Sequence, residues 1–267
     1  MDAKRLDMRL VELGLAESRS KAQALIRSGN VLVDGKPAQK PGQNCTENQI
    51  IELTGEFCPY VSRGGLKLEK ALRDFGVDPT GFVCSDSGAS TGGFTDCLLQ
   101  KGAKKVFAID VGTDQLVDKI RNDPRVVVME QTNIRYVTPA DVGETLDLSV
   151  VDVSFISLQL VLPAIQALLK PGRGQVVCLI KPQFEAGKEN LGKKGVVRDR
   201  AVHKQVLDSF LHFVHTLGFT VLGLTYSPVR GPEGNIEFLG HLTLEDKSEI
   251  HVNTAAIVAA AHDNLKV

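Results

Sequence analysis

The sequence predicts an α/β protein, a doubly wound sheet flanked by helices and preceded by a small α+β module. Three observations point there. From about residue 82 onward, β-type apolar runs alternate with helical segments. The first of these runs leads into D-S-G-A-S-T-G-G-F (Asp86 to Phe94), a turn of small residues ahead of a helix. Upstream, Thr54 to Val61, with Gly55 and Pro59, interrupts the periodic pattern and marks a linker between domains expected at 1–58 and 59–267.

In the N-terminal module, Leu6, Leu10 and Leu13 fall at i, i+4 and i+7, one face of a short helix that Gly14 can end. A second helix follows, capped by Ser18 or Ser20, buried through Ala22, Leu25 and Ile26, and closed by Gly29, with Arg19 and Arg27 pointing outward. A strand, Val31 to Val33, then turns at Asp34-Gly35, a dipeptide that favours tight hairpins.

The second domain is read as strands at Phe82–Asp86, Lys105–Asp110, Val126–Glu130, Asp147–Asp152, Gln175–Ile180, Thr220–Tyr226 and Glu237–Leu244. Helices are expected from Gly93, from Thr113, and over Ser157–Leu169 and Arg200–Leu217, with Lys67 opening a helix before the first strand. An Ala-rich segment, Asn253 to Leu265, reads as a terminal helix packed on the sheet.

Composition excludes several classes. Hydrophobic residues are 43% and charged residues 24%, which is ordinary for a globular chain and unlike a disordered one. No apolar run approaches the roughly 18 residues of a membrane span, and Asp2 and Asp7 interrupt any secretory apolar region, so a cytoplasmic protein without stable membrane association is expected. The five cysteines are scattered and never in C-x-x-C spacing, so neither a disulfide framework nor a metal site is expected. Net charge is −1, yet residues 1–40 hold eight Lys or Arg against five acids, and residues 181–204 hold seven against three. Taken alone, either cluster is better read as a solvated face than as a phosphate-binding one.

The turn after the first strand is not G-x-G-x-x-G, because Ser90 stands where the second glycine would be. Asp86 at the strand end would repel a pyrophosphate and suits a cationic ligand better. Asp110 ends the second strand, placed like an acid that hydrogen-bonds ribose hydroxyls. Lys67, Asp152, Lys181 and Glu237 lie at helix or strand ends, where side chains can converge over the crevice. His203 and His241 have no partners at metal or triad spacing and are expected to be structural.

The stretch Leu15 to Lys36, with its serine-arginine start and G-N-V-L-V-D-G ending, resembles the S4-type RNA-binding domain over roughly residues 3–55. Lys67, Asp152, Lys181 and Glu237 reproduce in order the K-D-K-E tetrad of the FtsJ-like ribose 2′-O-methyltransferases. Y-V-S-R-G-G-L-K-L, V-D-V-S-F-I-S-L, K-P-Q-F-E-A-G, G-K-K-G-V-V-R-D and S-P-V-R-G-P-E-G-N-I-E-F agree, and the chain is similar to the TlyA family over roughly residues 3–245. The stretch Asp114 to Asp118 is less standard for that family.

The resemblance implies a Rossmann-like methyltransferase that uses S-adenosylmethionine on the ribose of a cytidine in ribosomal RNA, with ribosomal subunits as partners. It implies donor contacts at Asp86, Gly88, Ser90, Thr91, Gly92, Gly93, Asp110, Val111, Asn133 and Asp152. It implies RNA contacts at Arg5, Arg9, Arg19, Lys21, Arg27, Arg63, Lys188, Lys193 and Lys194. A ribose hydroxyl must lose its proton as it attacks a sulfonium methyl, so positioning and a base are required. Lys181 is the expected base, because a lysine crowded by a second ammonium, Lys67, and partly desolvated by RNA gives up its proton more readily. Asp152 and Glu237 would hold the ammonium groups, and the Gly-containing loop from Pro182 to Asp199 would close over RNA, although its composition fits an ordinary flexible connection as well. Two alternatives stand beside this reading. The family also bears a hemolysin A-like label, which suggests a membrane-lytic protein, and a non-catalytic ribosome-binding factor could keep the same fold.

Overall fold

The computed structural model describes residues 4–16, 18–27, 30–53, 58–248 and 250–265, and only the backbone of Ala24, Lys193 and Pro232. The chain divides into two compact units, Met1–Phe57 and Cys58–Val267. Gly29 and residues 54–57 of the expected linker lie outside the described residues.

The first unit places helices α1 (Leu6–Glu12) and α2 (Arg19–Arg27) on small sheets. Strand β2 (Val31–Val33) pairs antiparallel with both β3 (Lys36–Pro37) and β5 (Ile51–Leu53), and β1 (Lys4–Arg5) pairs with β4 (Asn44–Cys45). Leu6, Leu10, Ala22, Ile26, Val31 and Val33 form its core, whereas Leu13, past the end of α1, is exposed. The Ser18 hydroxyl accepts from the Lys21 amide, 3.3 Å, as a helix cap does. The hairpin turns through Asp34 and Gly35, both at positive φ (52° and 72°), and the Asp34 carboxylate accepts from the Ile50 amide, 2.9 Å.

The second unit is built on a seven-stranded sheet. Its strands are β6 (Val83–Ser87), β7 (Lys105–Ile109), β8 (Val126–Met129), β9 (Leu148–Val151), β10 (Gln175–Ile180), β11 (Thr220–Tyr226) and β12 (Phe238–Thr243), in the order β11-β12-β10-β9-β6-β7-β8. Strands β8-β7-β6-β9-β10 are parallel, and β12 runs antiparallel to both of its neighbours. The sheet is therefore mixed. The order reverses between β6 and β9, and a ligand crevice belongs at such a point, outside the strand ends.

Alternation along the strands decides the packing. Cys84, Ala108, Val150, Val177 and Leu239 face α3 (Gly64–Phe75) and α4 (Gly93–Gln100). Val83, Ile109, Val151, Val176 and Phe238 pack in the opposite core, with α7 (Leu162–Leu168), α9 (Arg200–Thr216) and α10 (Thr254–Asn264). Shorter helices are α5 (Asp118–Arg121), α6 (Pro139–Val142) and α8 (Pro182–Glu185).

Two helices differ from the sequence reading. The helix expected from Thr113 begins only at Asp118, because Asp114 takes a positive φ of 51° and Glu130 binds the amides of Asp114 and Gln115, 3.0 and 3.1 Å, as well as Arg121. The segment expected as one helix, Ser157–Leu169, splits into a 3₁₀ turn over Leu158–Leu160 and then α7. Pro163 lacks the N–H that an unbroken helix would donate to Gln159.

Candidate active site

The backbone assembles the site first. β6 ends in Asp86 and Ser87, and Gly88 then turns at φ 87° against β9, where a side-chain Cβ would lie 2.6 Å from the Asp152 carbonyl oxygen. The Asp152 amide in turn donates to the Ser87 carbonyl, 2.9 Å. Only glycine permits this approach. Asp110, at the end of β7, accepts from the Ser90 amide with one oxygen and from the Gly112 amide with the other, both 2.8 Å. The loop is thereby pinned over the switch point.

Four charged side chains converge at this edge as two pairs. Lys67, on the first turns of α3, donates to Glu237 at 2.6 Å, and Glu237 is fully buried. Lys181, just past β10, has its Nζ 2.6 Å from Asp152 Oδ1. Glu237 precedes β12, and the reversed direction of that strand brings its first residues to the edge where the parallel strands end; Phe238 pairs with Ile180. Each ammonium thus has its own carboxylate, as expected of Asp152 and Glu237. Lys181 also donates to the Ser154 hydroxyl, 2.8 Å, and lies 5.9 Å from the centre of the Phe184 ring.

A cavity of about 530 Å³ opens here, lined by Ser62, Arg63, Lys67, Ser90, Asp152 and Arg230 among others. Asp152 lines it, whereas Asp86 and Glu237 are fully buried and do not. Asp86 Oδ1, Asp152 Oδ1 and Glu237 Oε1 accept no hydrogen bond, although Asp152 Oδ1 keeps its ion pair with Lys181. Burial pushes the Asp86 carboxyl up to about 7, with Asp152 and Asp110 adding to the rise and the Thr95 hydroxyl, 2.7 Å away, opposing it. The Asp152 carboxylate, lining the cavity beside a loop of small residues, suits a ligand that brings positive charge.

The comparisons agree with this geometry. A family model described as FtsJ-like methyltransferase matches residues 60–244, and one described as S4 domain matches residues 4–51. The YqxC protein of Bacillus subtilis is 51% identical over 89% of this chain and 85% of its own. The 16S/23S rRNA (cytidine-2′-O)-methyltransferase TlyA of Mycobacterium tuberculosis is 42% identical over 97% of this chain and 96% of its own. The chain belongs to the TlyA family of FtsJ-like methyltransferases. A solved chain from Streptococcus thermophilus, described as a hemolysin, superposes with a TM-score of 0.79 at 46% identity, covering 100% of this chain and 98% of that one.

Within this TlyA-family chain the expected donor-site residues divide. Gly88, Ser90, Thr91, Gly93 and Asp152 line the cavity. Asp86 lies fully buried below it, and Gly92, at φ 98°, packs on Ile120 and Leu116. Val111 is 70% exposed and the Asn133 side chain caps the amide of Arg135; neither is among the residues lining the cavity.

The expected RNA contacts also divide. Arg63 lines the cavity, Lys21, Arg27 and Lys188 are exposed, and exposed Lys194 pairs with Glu233 at 3.6 Å. The Lys193 side chain lies outside the described residues. Arg9 is largely covered and pairs with Glu12, 3.5 Å. Arg19, expected to point outward freely, is tied to the buried Asp7 at 3.0 Å; Arg5 holds the same carboxylate at 2.9 Å, and Gln23 adds a bond of 2.8 Å. The Arg5 guanidinium keeps the Asp7 carboxyl well below the usual carboxylate range.

Sequence reasoning singled out the tetrad and left its neighbours unremarked. Ser154, Ser62, Phe94 and Gly231 all belong to the site; a Cβ at Gly231 would fall 2.0 Å from Glu237 Oε1. Ser154, Ser62 and Gly231 stand within six residues of a tetrad position, Phe94 closes the glycine-rich turn, and all four fall inside motifs already quoted, which was the available signal. The histidines read as structural have structural partners. His203 meets His262 at 2.9 Å, His241 meets Gln175 at 2.8 Å, and burial lowers both His203 and His241 to about 4.

Proposed function

We propose that this chain transfers a methyl group from S-adenosylmethionine to the ribose 2′-hydroxyl of a cytidine in ribosomal RNA. The observation that carries the reading is the convergence of Lys67–Glu237 and Lys181–Asp152 beside the glycine-pinned cavity. Bound S-adenosylmethionine would supply a methyl made electrophilic by its sulfonium and would leave as neutral S-adenosylhomocysteine. Gly88, Ser90, Thr91 and Gly93 would hold the donor, and Asp110, whose oxygens each keep a second lone pair, would accept from its ribose hydroxyls. Asp152 would face the positive end of the donor.

Lys181 would take the 2′-hydroxyl proton as the oxygen attacks, and Lys67, fixed by Glu237, would hold the ribose oxygen in line. Phe155, 91% exposed and tilted against Phe184 at 5.2 Å, offers a ring face to a nucleobase beside Lys181. The S4-type unit would meet RNA phosphates through the exposed parts of Arg5, Arg19, Lys21 and Arg27. The loop after Lys181 would follow RNA only along its middle, because its far end is anchored by the Val197 amide on Asn235, 3.1 Å. A ribosomal substrate would place the protein in the cytoplasm. No helix among the described residues is long and apolar enough to cross a membrane.

The test is transfer of labelled methyl from S-adenosylmethionine to separated ribosomal subunits and to whole ribosomes, followed by mapping of the modified nucleotide. Label on a cytidine ribose is the expected result. Folded protein that binds the donor but labels no ribose in any of these substrates would sink the reading.

A further inference from the structure

The ammonium of Lys181 has two very different neighbours. Asp152 Oδ1 is near, at 2.6 Å, but accepts no hydrogen bond, so the contact is one of charge without alignment. The aligned bonds run to Ser154 Oγ at 2.8 Å and, more weakly, to the Asp152 carbonyl at 3.5 Å. An amine that can rotate about its last carbon–carbon bond is aimed by aligned bonds and not by undirected attraction. Ser154 is itself exposed and sits outside the sheet, so its hydroxyl is not needed to satisfy the core.

The backbone next to it is strained. Phe155 takes a φ of 63°, a left-handed conformation uncommon for a bulky residue, and its exposed ring is held against Phe184, three residues past Lys181. Such strain persists where surrounding contacts enforce it, and here the turn delivers the serine hydroxyl to the lysine.

We propose that Ser154 is a positioning residue that aims Lys181 at the ribose hydroxyl, an inference that rests on the function proposed above. In the reacting state Lys181 is the neutral amine, with two N–H donors and one lone pair. One N–H is spent on Ser154, so rotation is stopped and the lone pair keeps a fixed direction. The 2′-hydroxyl proton passes to that lone pair, the oxygen's electron pair forms the bond to the methyl carbon, and the carbon–sulfur bond breaks with its electrons left on sulfur. Lys181 ends as the ammonium, still bonded to Ser154.

Ser154→Ala, Ser154→Thr and Lys181→Met are compared with the unaltered protein in steady-state methyl transfer to the mapped subunit, with donor binding followed by calorimetry. For Ser154→Ala, kcat should fall about 10- to 100-fold, as misaimed reacting groups do. KM for RNA and for S-adenosylmethionine should stay within about twofold, and Ser154→Thr, which keeps the hydroxyl, should recover most of kcat. Normal turnover by Ser154→Ala beside an inactive Lys181→Met would overturn the role of Ser154 and leave the proposed function standing. So would a loss expressed as weaker donor binding, or one that threonine fails to repair. Normal turnover by Lys181→Met would remove the base itself, and the positioning role with it.

Discussion

Around Asp7 the N-terminal unit gathers two guanidiniums and an amide from within 16 residues of chain, whereas the catalytic unit pairs its ammoniums with carboxylates 29 and 170 residues away. The arginine side chains at Asp7 remain 43% and 54% exposed, and the lysine side chains of the tetrad 10% and 7%. A guanidinium keeps its proton in any protein setting, so the first cluster can only fix shape and present charge. A lysine can exchange its proton when its surroundings change, and the second cluster is built from lysines. The lesson is that similar charge pairing serves opposite ends, and that side-chain chemistry and sequence separation tell the two apart.

The sharpest break in that comparison is Lys181→Met. Methyl transfer should fall about 10²- to 10⁴-fold, the usual worth of a general base, while donor binding by calorimetry stays intact. Retention of near-normal turnover would mean that the catalytic cluster, too, is only structural.

Acid should separate the units next. All six histidines lie in the catalytic unit, and burial holds His203 and His241 at about 4, below the ordinary value near 6.5. Between those values the unfolded chain binds protons that the folded chain refuses, so stability falls as pH drops through that window. The loss should be on the order of 2 kcal/mol per histidine by pH 5. It is offset in part by Asp86, whose carboxyl titrates at about 7 in the fold and so gains stability over the same window. Asp7 works in a lower window. Its folded carboxyl titrates below the ordinary range, so its contribution is complete above about pH 4 and disappears as pH falls further. Amide hydrogen exchange at pH 7 and pH 5 should therefore show protection lost in the catalytic unit and kept in the N-terminal one. Equal loss in both would contradict the assignment.

Asp7→Ala should have the smallest effect. Because its guanidinium partners are half exposed, water can take the carboxylate's place, and the N-terminal unit should lose on the order of 1 kcal/mol in chemical denaturation. Donor binding should not change. A severe loss of folding would show that the cluster is the keystone of its unit.

Much of this was legible before any coordinates. Strand periodicity located all seven strands of the large sheet, because each reads as a β-type run rich in apolar residues, the central ones buried on both faces. Lys67, Asp152, Lys181 and Glu237 were readable because each adjoins the end or start of such an element. Other features depend on partners that spacing does not reveal. Nothing near Thr113 signals that Glu130 will seize the amides of Asp114 and Gln115 and delay the helix. The capture of Arg5 and Arg19 by Asp7 follows from the burial of one carboxylate between two helices, which charge counting over residues 1–40 treats as just another acid. The reversed direction of β12 is equally invisible in an apolar run, yet it sets Glu237 within reach of Lys67.

Glu185, on α8, accepts from the Ser157 hydroxyl at 2.6 Å with one oxygen and from the Leu158 amide at 2.8 Å with the other. The segments leaving β9 and β10 are thereby latched at a second point, beyond Lys181 and Asp152, and neither can swing away without unfastening both bonds. A ligand on the Asp152 side would therefore sit on a segment tied to the one that carries Lys181. The two reactants of a transfer reaction would then meet on segments fastened to each other.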